Sequence, residues 1–349
     1  MKKLREGFTT GSCAAAAALA SCLWQRDGFC PERVELVVPE GRSYAPEIVP
    51  HEPYRCGVIK FSGDDPDITN GMEITAEVSV SDSPGPVTFL AGEGVGTVTE
   101  PGLKIPVGGA AINPVPRQMI EDAVRRVFPE NGAAVTVSIP GGRETAKKTF
   151  NPRLGIVGGL SVLGTSGIVR PMSLEALRDS LYAELKMRAE QGRRDLIFTF
   201  GNQGETALRA LYPEGCIVQV SNEIGFMLDS ARELGVEHIL LGGHPGKMTK
   251  IAAGVMQTHS HTGDARREAI VTHLALMGAD GELMRNVYSS VTTDAAAEFI
   301  KSAGFDGVWD RLAQAAKRYC EARVRHEIVI DTVITDGSGA VMGRSGRSE

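Results

Sequence analysis

Short apolar runs that each end in a glycine-rich loop and then a helical pattern dominate the chain after residue 151. Repeated strand–loop–helix units predict a parallel sheet, because each right-handed crossover brings the next strand back in the same direction. We therefore predict a Rossmann-like α/β domain with a mostly parallel sheet over residues 151–320. The predicted strands are 154–157, 196–200, 217–220 and 238–241.

The first 150 residues show a different pattern, in which short β-like runs alternate with turns rich in proline and glycine. Helical segments at 14–23 and 116–127 interrupt these runs, and the mixture predicts an α+β domain over residues 1–150. The β-like runs of this domain are 34–38, 58–61, 73–80 and 135–139.

The C-terminal segment, 321–349, contains one further alternating run, at 327–334. This alternation predicts a strand, and the pattern leaves open which of the two domains the strand joins. We expect the last residues, 343–349, to form a loose tail.

Composition excludes several classes of protein. The chain has 349 residues, of which 42% are hydrophobic and 23% charged, and these values are ordinary for a globular protein. No apolar run is long enough to span a bilayer, and a net charge of −6 argues against a nucleic-acid partner. Six cysteines without a CxxC pair favour reduced thiols. We therefore expect a cytoplasmic protein that binds neither membrane nor nucleic acid.

Glycine-rich loops follow the predicted strands of the second domain, at 158–167, 201–204, 221–225 and 242–246. In a parallel sheet such loops open at the carboxyl edge, where ligands bind. The chain has 41 glycines, and residues without a side chain let the backbone approach a ligand closely. We predict that three of these loops bind a nucleotide-like cofactor through Gly158, Gly159, Gly164, Thr165, Ser166, Gly167, Asn202, Glu205, Asn222 and Glu223.

These loops do not match the common phosphate-binding fingerprints. The 158–167 segment lacks GxGxxG, which disfavours a dinucleotide-dependent dehydrogenase. In the loop before Lys247, Leu241 replaces the first Walker A glycine and Met248 replaces the required Ser or Thr, which disfavours a kinase. Lys247 can still bind a carboxylate, and a solvated lysine is the alternative.

Titratable side chains supply the candidate catalytic groups. His259 and His261 have a spacing seen in metal sites, but no cysteine or carboxylate cluster accompanies them, so we predict no protein-bound metal. We assign His259 a catalytic or substrate-contacting role, with a structural role as the alternative. In the acidic turn at 63–67, Asp64 or Asp65 can act as a general base if burial raises its pKa; a solvated turn is the alternative.

Hydroxyl-bearing residues precede the alanine-rich helix of the first domain. Ser12 is the predicted N-cap, and the free N–H groups at the helix start form a candidate anion site. Thr9 and Thr10 add more hydroxyls than one cap requires. An ordinary capped helix is the alternative.

Six segments together resemble the CbiD family of cobalt-precorrin-5B C1-methyltransferases. The first carries the sequence REGFTTGSCA, and the third contains AINPVP. The matches follow one another in order along the chain, at 5–14, 63–69, 108–119, 151–172, 221–229 and 242–260.

The resemblance implies an enzyme of oxygen-independent cobalamin biosynthesis that methylates ring carbon C1 of cobalt-precorrin-5B with S-adenosylmethionine, giving cobalt-precorrin-6A. Cobalt then arrives within the anionic corrinoid substrate, so the protein need not hold a metal. A non-catalytic carrier or scaffold for the corrinoid intermediate is the alternative, and a homo-oligomer or transient contact with other pathway enzymes stays open. With the first domain on the substrate side, we expect the substrate carboxylates to contact Arg5, Thr9, Thr10, Ser12, Arg117, His244 and Lys247.

Overall fold

The computed structural model describes residues 4–51 and 53–346, which form parallel and antiparallel sheets with helices. The predicted mixture of helix and strand is therefore confirmed. The chain divides into two compact units, Met1–Ala176 and Leu177–Glu349. The composition change predicts a boundary near residue 150, but strands that follow it pair with strands of the first unit. The division therefore lies later in the chain.

The first unit contains most of the short strands. Its helices are α1 (Thr10–Asp27), α2 (Pro114–Arg125) and α3 (Gly142–Ala146), and a 3₁₀ turn spans Asn151–Leu154. Its strands are β1 (Gly7–Phe8), β2 (Leu36–Val37), β3 (Ser43–Tyr44), β4 (Val49–His51), β5 (Arg55–Ile59), β6 (Glu73–Pro84), β7 (Val87–Ala91), β8 (Thr97–Val98), β9 (Asn131–Ser138), β10 (Ile156–Val157) and β11 (Ile168–Val169).

A five-stranded sheet and helix α1 form the core of the first unit. The strand order is β4–β5–β6–β9–β7, and the pairs are antiparallel except for β7 with β9. The alanines from Ala14 to Ala18 are at most 1% exposed. Because their side chains are small, α1 packs closely against β5, β6 and α2.

The second unit alternates strands and helices. No helix within the described residues is both long enough and apolar enough to cross a membrane. The helices are α4 (Leu174–Glu190), which begins just before the division, α5 (Asn202–Leu211), α6 (Ile224–Glu233), α7 (Pro245–Ala252), α8 (Arg266–Leu276), α9 (Gly281–Ser289), α10 (Thr293–Ser302) and α11 (Val308–Arg323). The strands are β12 (Asp195–Thr199), β13 (Ile217–Gln219), β14 (His238–Gly243), β15 (Val329–Thr335) and β16 (Val341–Arg344).

The sheet of the second unit has the order β13–β12–β14–β15–β16, with the first four strands parallel and β16 antiparallel. The predicted tail strand is β15, so it joins this unit. The predicted loose tail is wrong for residues 343 and 344, which belong to β16, while residues 347–349 lie outside the described part. Chain order reverses at β12, which lies between β13 and β14. Ligands bind at such a switch point in open α/β sheets.

Candidate functional site

A cavity of about 540 Å³ lies at the carboxyl edge of the parallel sheet in the second unit. Residues that follow β12, β13 and β14 form its wall, including the starts of α5 and α8 and part of α7, together with the segment after α7. Its volume falls within the range of about 300–1,000 Å³ that is typical of small-molecule sites. The lining residues are Phe200, Gly201, Asn202, Gln203, Gly204, Asn222, Gly243, His244, Gly246, Lys247, Lys250, Thr258, His259, Ser260 and Arg266.

Two glycines shape this cavity in different ways. A Cβ atom at Gly243 would lie 2.6 Å from the Phe200 ring, so glycine is needed there for the ring to pack. A Cβ atom at Gly201 would meet no atom within 4 Å. Gly201 therefore borders open space, and its extended backbone is one that any residue can adopt.

Asn202 and Asn222 present amide groups to the cavity. The Asn202 Oδ1 accepts a hydrogen bond of 2.8 Å from Gln219 Nε2. The Asn222 Oδ1 accepts one from Lys247 Nζ and another, of 3.1 Å, from Thr258 Oγ1. These bonds orient both side chains, and each amide NH₂ group can then donate to a ligand.

Cationic side chains dominate the charge of the lining. Lys247, Lys250 and Arg266 line the cavity, and no Asp or Glu does so within the described residues. Burial lowers the pKa of Lys247, and the nearby charge of Lys250 lowers it further. The site therefore suits a ligand that carries a carboxylate.

The two histidines in the lining have defined hydrogen bonds. His244 is the N-cap of α7, and its Nδ1 accepts a hydrogen bond of 3.3 Å from the Gly246 N–H. Its Nε2 lies 3.0 Å from Asp294 Oδ1, so a neutral ring with its proton on Nε2 satisfies both contacts. The exposed His259 accepts a hydrogen bond of 3.2 Å at Nδ1 from the His261 N–H. The Nε2 atom of His259 is then the one available to a ligand.

The structure brings together a subset of the residues that the sequence predicts for the site. Predicted cofactor-binding and substrate-binding residues share one cavity, because the loops after β12, β13 and β14 end at the same sheet edge. The predicted site residues that line it are Asn202, Asn222, His244, Lys247 and His259.

Glu205 and Glu223, by contrast, do not line the cavity. Glu205 Oε2 accepts a hydrogen bond of 2.9 Å from Gln219, the residue that also orients Asn202. Glu223 is 1% exposed and lies 2.7 Å from the Arg178 guanidinium. These contacts favour structural roles, and cofactor binding by either carboxylate stays a prediction.

The 158–167 segment belongs to the first unit, so the prediction that it opens at the edge of the parallel sheet is wrong. The strand before it, β10, pairs antiparallel with β8. A Cβ atom at Gly164 would lie 2.3 Å from Thr9 Oγ1, and one at Gly159 would lie 2.2 Å from the Gly94 carbonyl oxygen. These two glycines therefore permit close packing of the chain on itself. Cofactor binding by the segment stays a prediction, which also covers Gly158, Thr165, Ser166 and Gly167.

The side-chain hydroxyls at the start of α1 form hydrogen bonds with other groups of the protein. Thr9 Oγ1 accepts a hydrogen bond of 3.2 Å from the Ser12 N–H, so Thr9 is the N-cap and the prediction of Ser12 is wrong. Ser12 Oγ donates to the Gly167 carbonyl at 2.7 Å. Thr10 Oγ1 donates to the Leu163 carbonyl at 3.2 Å and accepts from its N–H at 2.9 Å. The segment that contains residues 163–167 thus occupies the predicted anion site.

The carboxylates of the acidic turn at 63–67 form hydrogen bonds with other residues of the same chain. Asp64 Oδ1 accepts hydrogen bonds from the Arg5 guanidinium at 2.7 and 2.9 Å, and Asp65 Oδ1 accepts one of 2.8 Å from the Met172 N–H. A carboxylate that is ion-paired with arginine is a weaker base than an unpaired one. These contacts favour structural roles, and catalysis by Asp64 or Asp65 stays a prediction.

Asp67 is the carboxylate of this turn that has a buried partner. Lys60, which is 2% exposed, lies 2.5 Å from Asp67 Oδ2, and the Thr69 hydroxyl donates to Oδ1 at 2.6 Å. Burial raises the pKa of Asp67, but the charge of Lys60 and the hydrogen bonds outweigh this effect and lower it. The sequence did not single out this pair, because nothing in the local pattern shows that Lys60 is buried.

Arg117 also has a structural environment. Its Nε donates to the Ile112 carbonyl at 2.7 Å and its Nη2 to the Ala110 carbonyl at 2.9 Å, while the guanidinium lies 5.0 Å from the centre of the Phe89 ring. Burial lowers the pKa of this arginine. Substrate binding by Arg117 stays a prediction.

Sequence reasoning missed several residues that line the cavity, among them Gln203, Lys250 and Arg266. The sequence contains a signal for Lys250, because residues three apart share a helix face and Lys247 was already a candidate. Within the described ranges, no group of three or more His, Cys, Asp or Glu side chains is arranged to hold a metal ion.

Comparisons with known proteins match both the N-terminal and the C-terminal parts of the chain. The sequence model of the CbiD family matches residues 1–171, and that of the CbiD C-terminal domain matches residues 257–346. The cobalt-precorrin-5B C(1)-methyltransferase of Desulfitobacterium hafniense (strain Y51) is 41% identical over 97% of this chain and 89% of its own length. The protein of the same name from Citrobacter koseri is 45% identical over 90% of this chain and 84% of its own length.

Among solved structures, the crystal structure of the cobalamin biosynthesis protein CbiD from Archaeoglobus fulgidus is similar to this chain. The identity is 30%, and the match covers 76% of this chain and 84% of the other, with a TM-score of 0.40. Relatives above 40% identity over at least 90% of this chain, and matches to both CbiD sequence models, lead to one conclusion. The chain belongs to the CbiD family.

Proposed function

We propose that this protein transfers a methyl group from S-adenosylmethionine to ring carbon C1 of cobalt-precorrin-5B, giving cobalt-precorrin-6A in cobalamin biosynthesis. The names of relatives that are 41% to 45% identical support this reaction. The observation that carries the proposal is the cavity at the switch point of the parallel sheet. We further propose that the second unit is Rossmann-like, and its strand order supports this description.

The chemistry of the cavity fits S-adenosylmethionine, which supplies an electrophilic methyl carbon when bound. The amide groups of Asn202 and Asn222 suit the hydrogen-bonding edges of adenine and ribose. Lys247 and Lys250 suit a carboxylate, whereas the Arg266 guanidinium already binds Asp264. Because like charges repel, the uncharged loop at 201–204 is better suited to the sulfonium than the cationic side is.

The protein's contribution to such a reaction is mainly positional. Methyl transfer from a sulfonium is an in-line displacement, so its rate depends on holding the donor and acceptor carbons close and aligned. The bonds from Gln219, Lys247 and Thr258 fix Asn202 and Asn222 before a ligand binds. Preorganised side chains of this kind reduce the rearrangement that binding requires. His259 is our candidate for contact with the corrinoid, and a cytoplasmic location is part of the proposal.

The direct test is incubation of the purified protein with cobalt-precorrin-5B and S-adenosylmethionine labelled with ¹³C in the methyl group. We expect a product heavier by one labelled methyl group, located at C1 by NMR. Corrinoid binding without methyl transfer would instead support a carrier. Asn202→Ala should lower kcat/KM by about tenfold, the effect of losing one hydrogen bond to a ligand. Asn286→Ala, on α9 and outside the cavity lining, is the matched control.

A further inference from the structure

Lys250 differs from the other buried lysines in its partners. Lys60, Lys250 and Lys317 are 2%, 4% and 1% exposed. Lys60 lies 2.5 Å from Asp67, and Lys317 lies 3.3 Å from Asp331. Lys250 donates a hydrogen bond of 3.1 Å to the Thr258 carbonyl, and it forms no ion pair with an acidic residue in the described part of the chain.

A buried ammonium without a counter-charge is unfavourable, so its place in a cavity needs an explanation. An ammonium has three donor hydrogens, and the Thr258 carbonyl takes one of them. Lys250 is also one of the residues that line the cavity, where a ligand would be able to accept hydrogen bonds from the remaining donors. A carboxylate in that space would supply both the acceptor atoms and the missing negative charge.

The neighbouring charges strengthen this argument. Lys247 lies one helical turn away on α7, and the charge of Lys250 together with burial lowers the pKa of Lys247. The charge of Lys250 helps to lower the pKa of Asp264, but both oxygens of this carboxylate are already bound to Arg266, each at 2.6 Å. The two ammonium groups therefore repel each other, and neither forms an ion pair with a carboxylate of the described residues, so a bound anion would relieve that repulsion.

We propose that Lys250 and Lys247 form a carboxylate-binding subsite on α7, at the carboxyl edge of the parallel sheet. The subsite would take the amino-acid carboxylate of S-adenosylmethionine or a carboxylate arm of the corrinoid. This inference rests on the proposed function, because that function supplies both carboxylates. Lys250 is a binding residue in this account, and we assign it no part in the chemical step.

The test compares ligands that differ in their carboxylates. S-adenosylhomocysteine carries the amino-acid carboxylate, 5′-methylthioadenosine lacks it, and uroporphyrin is a stable tetrapyrrole with many carboxylates. Dissociation constants are measured by calorimetry for the first two and by fluorescence for the third. The proteins are the native chain, Lys250→Met, Lys250→Arg and the control Lys317→Met, which removes a buried lysine outside the cavity lining.

If the subsite takes the cofactor carboxylate, Lys250→Met should weaken S-adenosylhomocysteine binding by about 10- to 100-fold, the range for a charge-assisted hydrogen bond. Binding of 5′-methylthioadenosine should not change. If the subsite takes the substrate carboxylate, uroporphyrin binding should weaken by the same factor while S-adenosylhomocysteine binding stays native. In either case Lys250→Arg should bind more tightly than Lys250→Met, and Lys317→Met should bind as the native protein does.

The melting temperature separates a binding role from a structural one. Removing an uncompensated charge should leave the ligand-free Lys250→Met variant at least as stable as the native protein, whereas Lys317→Met should melt lower. The proposal is overturned if Lys250→Met melts as low as Lys317→Met, if it binds both carboxylate ligands with native affinity, or if the native protein binds neither. Lys250-dependent binding without methyl transfer would support the subsite and contradict only the proposed function.

Discussion

At the scale of single residues, two ion pairs of this protein differ in how deeply their cations are buried. In the first unit, Asp67 holds the buried Lys60, whereas Asp64 holds Arg5, whose side chain is 71% exposed. Both are aspartate–cation pairs within one acidic turn. Their contributions to stability should differ, because water screens the exposed pair and not the buried one.

Asp67→Asn should therefore destabilise the protein strongly. The substitution keeps the shape of the side chain but leaves Lys60 as a buried ammonium without its counter-charge, at a cost of about 3 kcal/mol in free energy of unfolding. Urea unfolding measures this value. Asp64→Asn is the matched control, and its effect should stay below about 1 kcal/mol. Equal effects of the two substitutions would show that burial of Lys60 is not the deciding factor.

His238 predicts a pH dependence of stability. Its Nδ1 lies 2.8 Å from Asp195 Oδ1 and its Nε2 lies 3.1 Å from Asp331 Oδ2, while Lys317 competes for Asp331. Burial lowers the pKa of His238, but the two carboxylates outweigh this effect and raise it. Because the pKa is higher in the folded state, the protonated ring stabilises the fold at low pH. This contribution is lost as pH rises through the folded-state pKa.

We therefore expect His238→Gln to destabilise the protein more at about pH 6 than at about pH 9. The difference should be about 1 kcal/mol or less, because the pair with Asp195 is largely exposed to solvent. Urea unfolding of both proteins at the two pH values measures it. A difference that is independent of pH would contradict the raised pKa.

At the scale of elements, the start of α1 depends on the glycine segment that covers it. Gly164 has a φ of +134°, and a Cβ atom there would lie 2.3 Å from the oxygen of the N-cap Thr9. Gly158 has a φ of +89°, with no atom within 4 Å of such a Cβ. Both glycines therefore have positive φ angles that would strain any other residue, but a Cβ atom would overlap a neighbour only at Gly164.

Gly164→Ala should cost about 3 kcal/mol in free energy of unfolding, from backbone strain and overlap with the cap together. Gly158→Ala should cost about 1 kcal/mol, from strain alone. Thermal or urea unfolding compares the two variants. If Gly158→Ala were the more harmful change, packing against Thr9 would not be the reason for glycine at position 164.

Local periodicity predicted elements better than it predicted their partners. The run at 238–241 lies within β14, and the helical pattern at 14–23 lies within α1. The strand at 154–157 was predicted for the wrong sheet, because its partner β8 lies far away in sequence and local pattern carries no information on pairing. Local pattern also does not show why the glycines at 158–167 are small: close packing accounts for Gly159 and Gly164, and cofactor binding by the segment stays a prediction.

At the scale of the whole molecule, the sequence predicted the mixed α/β character and the loops of the second unit. It did not predict where the chain divides into its two units. A composition change near residue 150 does not show that residues 151–176 return to the first unit. The cavity was predicted in part, since strand direction places the loops after β12 and β14 at one edge. Burial of Lys250 depends on packing in three dimensions, which a single sequence does not show.

We propose above all that the cavity at the carboxyl edge of the parallel sheet holds the methyl donor. Gly201→Leu tests it directly, because position 201 lines the cavity, tolerates a side chain in its extended backbone, and would give a Cβ atom no neighbour within 4 Å. The matched control is Gly346→Leu, at another glycine where a Cβ atom would meet nothing within 4 Å. Both variants should melt as the native protein does.

The decisive measurement is calorimetric titration of S-adenosylhomocysteine into the three proteins. We predict binding at one site per chain for the native protein and for Gly346→Leu, and a loss of at least about 100-fold in affinity for Gly201→Leu, because its side chain fills the space for the ligand. Native affinity in a correctly folded Gly201→Leu variant would contradict the account and place the methyl donor elsewhere in the protein.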